Sequence, residues 1–422
     1  MQNGVLFPAE DLKKIREAFY YVDTDRTGTP WLYFDNAGGS YRLKAAEECF
    51  RSVDMIPDCS ERHHKTAVEL QEIEEAGKES VRTIFNVSGG TVATALTASQ
   101  IMFQITGAVI ENVPGTNVVT TVLEHPSAYD SAVYYAEKTG KQLRVAKSNH
   151  RTGGVDAEEI LSLIDRDTCL LSVMYASNIS GVIFDLPDII RRAREIKPDL
   201  YIIVDAVQHT PHGVMDFREL GVDAVTFAPY KFFGVRGLGV AWLSERLAAI
   251  PHHKLAGKKE MEWELGSPAP AQYAMLKEIV DYVCGLAGSQ NTMTRRERYV
   301  EGMTRIVLHE RALLHLMLEG CGGRSGLRHM EGIRVLMDGE DLTKRDLITG
   351  ISFDNMDCAA AVKECEKRGV IVYERVASSL YSGRMLESLG LDGAVRISPL
   401  HCNSQTDIET FLDVTREIAG IS

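Results

Sequence analysis

Seven short apolar runs, at 91–96, 116–121, 142–147, 168–175, 200–204, 223–228 and 238–243, succeed one another through the middle of the chain. Helical patterns at 98–110, 127–138, 156–165 and 186–196 separate most of them. Two neighbouring strands that run the same way need a crossover long enough to hold a helix. The alternation therefore predicts an α/β fold with a mainly parallel seven-stranded sheet covered by helices. CLLSVMYA (169–176) and IIVDA (202–206) are apolar without alternation, as strands buried on both faces should be.

The flanks read differently. A helix is expected over 9–22 behind Pro8, and a long amphipathic helix over 66–86, closed by the turn signal at 88–90. Beyond residue 265 the pattern becomes helix (272–286), charged helix (294–318), strand (332–338), strand (348–354), helix (357–368), strand (369–373), strand (394–400), helix (406–419). This predicts a small C-terminal α+β domain over 291–422 beside a large domain over 31–290. The N-terminal segment 1–30 is expected to pack on the small domain.

Chemistry concentrates where apolar strands end. In open α/β sheets ligands bind outside the carboxyl ends of the strands. Lys231 follows the run DAVTF and Asp205 ends the run LYIIV. A lysine dried out by burial is held close to neutral, and its amine can form a Schiff base with an aldehyde. A carboxylate at a neighbouring strand end can hold a proton on an aromatic nitrogen. These are the two groups that pyridoxal 5′-phosphate needs. Taken singly, each is also an ordinary strand-end or turn residue. Thr97, Ala98 and Ser99 open a helix, as a phosphate site or as a plain N-cap. His125 ends another strand and is suited to stacking on a ring and shuttling protons, or to a structural role. Asn178 lies in a turn before a glycine, and Gln208 stands three residues past Asp205. Arg396 sits inside an apolar strand, and a buried guanidinium needs an anion, either a structural carboxylate or a substrate's.

Composition narrows the partners. The net charge of −13 disfavours nucleic acid and anionic membrane surfaces. No basic segment followed by an apolar core opens the sequence, and no apolar run approaches membrane-spanning length, so neither a signal peptide nor a membrane span is expected. Eight cysteines without a C-x-x-C pair read as scattered thiols in a reducing compartment, which points to the cytoplasm. Cys59 with His63 and His64 lacks a second half-site, and no metal is expected. His252–His253 reads as a surface loop, and GVRGLG (234–239) does not open a βαβ unit, so it is a poor dinucleotide signal.

The order of these segments resembles the class V aminotransferase and cysteine desulfurase superfamily, pyridoxal phosphate enzymes of fold type I, over about residues 30–415. FDNAGGS resembles the family's YLDNAAT turn, LEHPSAYDSA its E-H-x-A segment, SNISGVIFDL its S-N-x-x-G, and VDAVQH its V-D-G-A-Q. DAVTFAPYKFFGVRGLG resembles the lysine segment, WELGSPAPAQYAML the E-x-G-T-P segment, and VRISPLHCNSQTDIETFL the C-terminal arginine segment. The resemblance implies Lys231 as the Schiff-base lysine, Asp205 at the pyridine nitrogen and His125 stacked on the ring. It puts Asn178 and Gln208 at the 3′-oxygen, with Thr97, Ala98, Ser99 and Tyr230 also at the cofactor. Ala37, Gly38 and Arg396 fall to the substrate. Ser267 would reach the phosphate of a neighbouring subunit, implying a homodimer with shared active sites.

Three departures bear on the reaction. Tyr230 precedes the lysine where the family often has His, Ala228 stands where a Ser is common, and the loop 374–384 carries no Cys where desulfurases place their nucleophile. A hydroxyl cannot take over persulfide chemistry, which depends on the thiolate. The expected activity is therefore at the α-carbon of an amino acid or amine, as a β-lyase of the carbon–sulfur type without persulfide transfer. A class V aminotransferase and an epimerase remain open, as does a non-catalytic regulatory module that binds the cofactor.

Overall fold

The computed structural model describes residues 3–57, 60–288 and 292–420. An N-terminal helix α1 (Ala9–Glu17) is followed by a two-residue strand (Leu32–Tyr33) and a long helix α2 (Lys65–Phe85). Seven strands then form one sheet: β1 (Thr91–Ala95), β2 (Asn117–Thr121), β3 (Gln142–Ala146), β4 (Thr168–Met174), β5 (Tyr201–Asp205), β6 (Ala224–Phe227) and β7 (Gly239–Leu243). Their order is β1-β7-β6-β5-β4-β2-β3, and only β7 runs antiparallel to its neighbours. β2, β4, β6 and β7 are buried along their whole length, as strands covered on both faces are. Helices α3 (Ala98–Asn112), α4 (Pro126–Thr139) and α5 (Leu186–Ile196) return the chain between strands. The mainly parallel, helix-covered sheet expected from the alternation is the one observed.

Helices α6 (Pro270–Gly285) and α7 (Arg295–Glu319) lead to a second sheet of four antiparallel strands. Its strands are β8 (Ile333–Leu336), β9 (Thr349–Phe353), β10 (Tyr373–Val376) and β11 (Gly393–Ile397), in the order β8-β9-β11-β10. Helices α8 (Cys358–Lys367) and α9 (Gln405–Ile418) pack on it around a separate apolar cluster that includes Phe34, Leu313, Ile397 and Phe411.

Two expectations needed correction. The helix over 9–22 ends at Glu17, because Phe19 leaves the helix to pack edge-on against Phe233 and Tyr282, and Tyr21 takes a left-handed φ of 58°. The run 369–373 is not one strand. Val370–Ile371 pairs in parallel with Leu32–Tyr33, and the strand that joins the small sheet starts only at Tyr373. A run of alternating character cannot reveal that its two halves hydrogen-bond to different partners. Of the Cys59, His63 and His64 group, Cys59 lies outside the described residues, and His64 caps α2 by accepting from the Ala67 N–H at 3.4 Å.

Candidate active site

A cavity of about 580 Å³ opens at the carboxyl ends of β2, β4, β5 and β6 and is closed on its far side by β10 and β11 of the small sheet. Lys231, Asp205, His125, Gln208, Asn178, Thr97, Ala98, Ser99, Tyr230, Ala37, Gly38 and Arg396 all line it. Residues separated by up to 359 positions in the chain are thus brought to one chamber. Ser267 is exposed in the segment before α6 and stands outside the cavity of the single chain.

The backbone around Lys231 is pinned from several sides. Lys231 closes a single turn after β6, and two residues on Phe233 adopts a left-handed φ of 67°. That conformation is uncommon for a bulky residue and persists only when its surroundings hold it. Here the Phe233 N–H donates to Ser40 Oγ at 2.9 Å, its carbonyl accepts from the Leu43 N–H, and its ring packs against Phe19 and His401. The lysine side chain is left buried, with Nζ donating to Gln208 Oε1 at 3.4 Å. Burial, then the positive charge of Arg396, lowers its pKa to about 8. Its amine is therefore neutral far more often than a surface lysine's.

Asp205 ends β5, and one oxygen accepts from the Val207 N–H at 3.0 Å. Burial raises its pKa, and the nearby Lys231 charge opposes the rise. His125 N-caps α4, with Nδ1 accepting from the Ser127 N–H at 3.2 Å and standing 2.8 Å from the Ser127 hydroxyl. Burial, aided by the Lys231, Arg375 and Arg384 charges, lowers the pKa of its ring to about 3, so the ring is neutral. Tyr381 lies nearly parallel to it, with centroids 5.9 Å apart.

The N-terminus of α3 borders the chamber. Thr97 caps it, accepting from the Gln100 N–H at 3.1 Å, and Ser99 Oγ lies 2.6 Å from Ser127 Oγ. Gly239, the last residue of GVRGLG, explains how this end is fixed. A Cβ there would stand 2.2 Å from the Ala98 nitrogen, so only glycine lets β7 press against the start of α3. The motif serves backbone approach rather than dinucleotide binding.

Arg396 has the structural carboxylate that one of the two readings called for. Its guanidinium pairs with Asp35 Oδ1 at 2.6 Å and donates to the Asn178 carbonyl at 3.3 Å, yet Nε has no partner. A structural carboxylate is present, and a donor is left over. Among the polar lining residues that escaped sequence reasoning are Asp35, Ser127, Thr226, Arg236, Tyr373, Arg375 and Tyr381. Arg375 lies in the strand Tyr373–Val376 beside Glu374, so it lacked the apolar surroundings that singled out Arg396. Thr226 gave no signal, because a threonine in a buried strand is unremarkable.

A sequence model described as Aminotransferase class-V matches residues 32–411. The chain belongs to that family. Relatives of the chain include a probable cysteine desulfurase of Pseudomonas putida, 27% identical over 62% of this chain and 61% of that protein. Cysteine desulfurase IscS of Dictyoglomus turgidum is 27% identical over 70% of this chain and 81% of its own length. A probable cysteine desulfurase of Borreliella burgdorferi is 22% identical over 96% and 95%. Among solved structures, the apo cysteine desulfurase of Thermococcus onnurineus superposes with a TM-score of 0.80 at 20% identity, covering 99% of both chains. The cofactor of the family is pyridoxal 5′-phosphate.

The chamber of this chain fits that group. Its volume lies within the range of small-molecule sites. A depressed lysine faces a carboxylate whose burial calls for a cation. Thr226 Oγ1 and Asn178 Oδ1 are buried without hydrogen-bond partners, and both residues border the space. Orphaned polar atoms are costly unless a ligand meets them. No described helix is long and apolar enough to cross a membrane.

Proposed function

We propose that this enzyme eliminates a sulfur substituent from the β-carbon of an amino acid and passes no persulfide to a carrier. The observation that carries this reading is the absence of any cysteine among the described residues lining the cavity. Cys402, the cysteine nearest in sequence to Arg396, is fully buried among other residues, and burial pushes its thiol far above the usual range. A thiol in that state is not a nucleophile.

The roles follow from the chemistry of each side chain. Lys231 holds the cofactor covalently, and Asp205 keeps a proton on its ring nitrogen. The Thr97–Ala98–Ser99 turn and Tyr230 hold the phosphate end, with Ser267 contributed by a second copy in a homodimer. Gln208 and Asn178 meet the oxygen beside the lysine linkage. Arg396 orients the substrate carboxylate, with Ala37 and Gly38 framing it. Once displaced, the Lys231 amine removes the α-proton at Nζ, a role suited to a base with a pKa of about 8. His125, being neutral, covers the ring without adding a cation. The bound cofactor supplies the electron sink that makes the α-proton removable.

Purified protein loaded with cofactor and incubated with cysteine and its S-substituted analogues tests this. Pyruvate, ammonia and a free thiol in equal amounts are expected. Turnover that requires a second keto acid would mean transamination, and sulfur retained on the protein as persulfide would mean desulfuration. Either result overturns the elimination reading.

A further inference from the structure

Asn178 and Gln208, the pair assigned to the oxygen beside the lysine linkage, ride on different loops of the large domain, 177–183 after β4 and 206–213 after β5. One short segment of the small domain, 344–348, leads into β9 and holds both loops. It grips the first through the backbone. The Ile183 N–H donates to the Lys344 carbonyl at 2.9 Å, and the Asp346 N–H donates to the Gly181 carbonyl at 2.8 Å, so Val182 and Arg345 face each other as an antiparallel bridge. Gly181 has a φ of 73°, and a Cβ there would stand 2.6 Å from the Ile348 carbonyl oxygen. Only glycine lets the loop close on the segment.

The second loop is gripped through side chains. His209, next to Gln208, has Nδ1 at 3.0 and 3.1 Å from the two oxygens of Asp346 and donates to that carboxylate. Its ring lies flat on Tyr175, with centroids 4.1 Å apart and 10° between the planes, and a Cβ on Gly213 would stand 2.1 Å from Nε2. Further along the same loop, His212 Nδ1 stands 2.7 Å from Glu310 of α7. No side chain of these two pairs is more than 6% exposed, and none of the four borders the chamber that holds Lys231. A buried imidazole–carboxylate pair keeps one geometry, because opening it leaves polar groups unsatisfied away from water. His209, held at both faces of its fit, fixes the backbone that it shares with Gln208, whose Oε1 lies 3.4 Å from Lys231 Nζ.

We infer that Asp346 and His209 are positioning residues for the reaction, acting through Gln208 on the cofactor oxygen beside the lysine linkage, while the same segment sets the Asn178 loop. This rests on the placement of Gln208 and Asn178 at that oxygen. A hydrogen bond weakens steeply with angle and distance, so a small displacement of the Gln208 backbone is felt there. The small domain thereby takes part in cofactor binding through residues that never touch the cofactor.

Titration of the cofactor-free chain with pyridoxal 5′-phosphate and with its 3-deoxy analogue, which lacks only that oxygen, tests the inference. Absorbance reports the linkage to Lys231 in both cases, and the ratio of the two dissociation constants is the readout. In Asp346→Leu, and in His209→Phe, which keeps a ring on Tyr175, the preference for the natural cofactor is expected to fall about fivefold, the worth of one hydrogen bond, while the analogue binds as in wild type. Asp346→Asn still offers Nδ1 an acceptor and is expected to keep the wild-type ratio. A merely structural role would weaken both ligands alike and leave the ratio alone. An unchanged ratio in the first two variants, or two affinities that fall together, overturns the inference; the double variant, which leaves neither group buried alone, decides if a single one fails to fold. Gln208→Leu separates this failure from that of the placement on which it rests. If it lowers the ratio and the outer variants do not, only the role of Asp346 and His209 falls. If it too leaves the ratio unchanged, Gln208 does not meet the oxygen, and the placement falls together with the inference.

Discussion

Replacing Glu124 by glutamine is expected to make the protein more stable at alkaline pH and to leave it nearly unchanged in acid. Glu124 is completely buried just before His125. One oxygen accepts from the Thr121 hydroxyl at 2.7 Å and from the Met174 N–H at 3.0 Å, while the other has no partner. Burial outweighs these two bonds and, with the Asp205 charge nearby, raises the pKa to about 8. The folded state therefore keeps its proton where the unfolded chain, titrating near about 4.3, has lost it. A raised carboxyl contributes stability that is complete below the unfolded value and is lost as pH rises through the folded one. The slope is about 1.4 kcal/mol per pH unit, and the window from the unfolded value to about 8 makes the whole effect on the order of 5 kcal/mol. Glutamine has the same shape, keeps the acceptor for Thr121 and Met174, and carries no proton to lose. Urea unfolding midpoints of the cofactor-free proteins, compared at intervals between about pH 5 and pH 8, measure the difference directly. The variant should gain steadily as pH rises. A gap between the two proteins that stays constant across that range would show that Glu124 is ionised in the fold, and would refute the reasoning.

Three further outcomes follow from the same geometry. The Lys231 amine of the cofactor-free protein should react with an aldehyde probe with a midpoint near its pKa of about 8, read by mass spectrometry of the lysine peptide at graded pH; a midpoint like that of surface lysines would contradict its burial. The same shift has a definite sign for stability: the unfolded chain holds that proton up to about 10.4, so the lysine's contribution improves as pH rises across the interval. Gly239→Ala should cost about 1–3 kcal/mol or more by driving a methyl group into the Ala98 nitrogen, and should weaken cofactor uptake by displacing the start of α3, both measurable by thermal unfolding with and without pyridoxal phosphate. Thr226→Val removes a buried hydroxyl that has no partner, so the cofactor-free protein should be no less stable than wild type, while cofactor affinity falls if that hydroxyl meets the ligand.

The sheet was legible because parallel strands buried on both faces must be apolar throughout, and because the helices between them carry their own period. Seven strands and their connecting helices could be read that way. Lys231, Asp205 and His125 could be singled out because each is a polar residue within four positions of the end of such a run, and a strand's carboxyl end is where this architecture places ligands. What local pattern could not give was pairing. The run 369–373 divides between two sheets, because hydrogen-bond partners are chosen by the fold and leave no trace in alternation. The same limit hid the partner of Arg396. That Arg396 has Asp35 beside it, and that both border the chamber with Lys231, depends on a strand 361 residues from Asp35 closing over the first sheet. Burial, and with it every displaced pKa in the chamber, is likewise a property of the assembled protein. Sequence determined which groups are present and on which strand ends they ride; tertiary structure alone decided which of them are dry, which are paired, and which keep an atom without a partner.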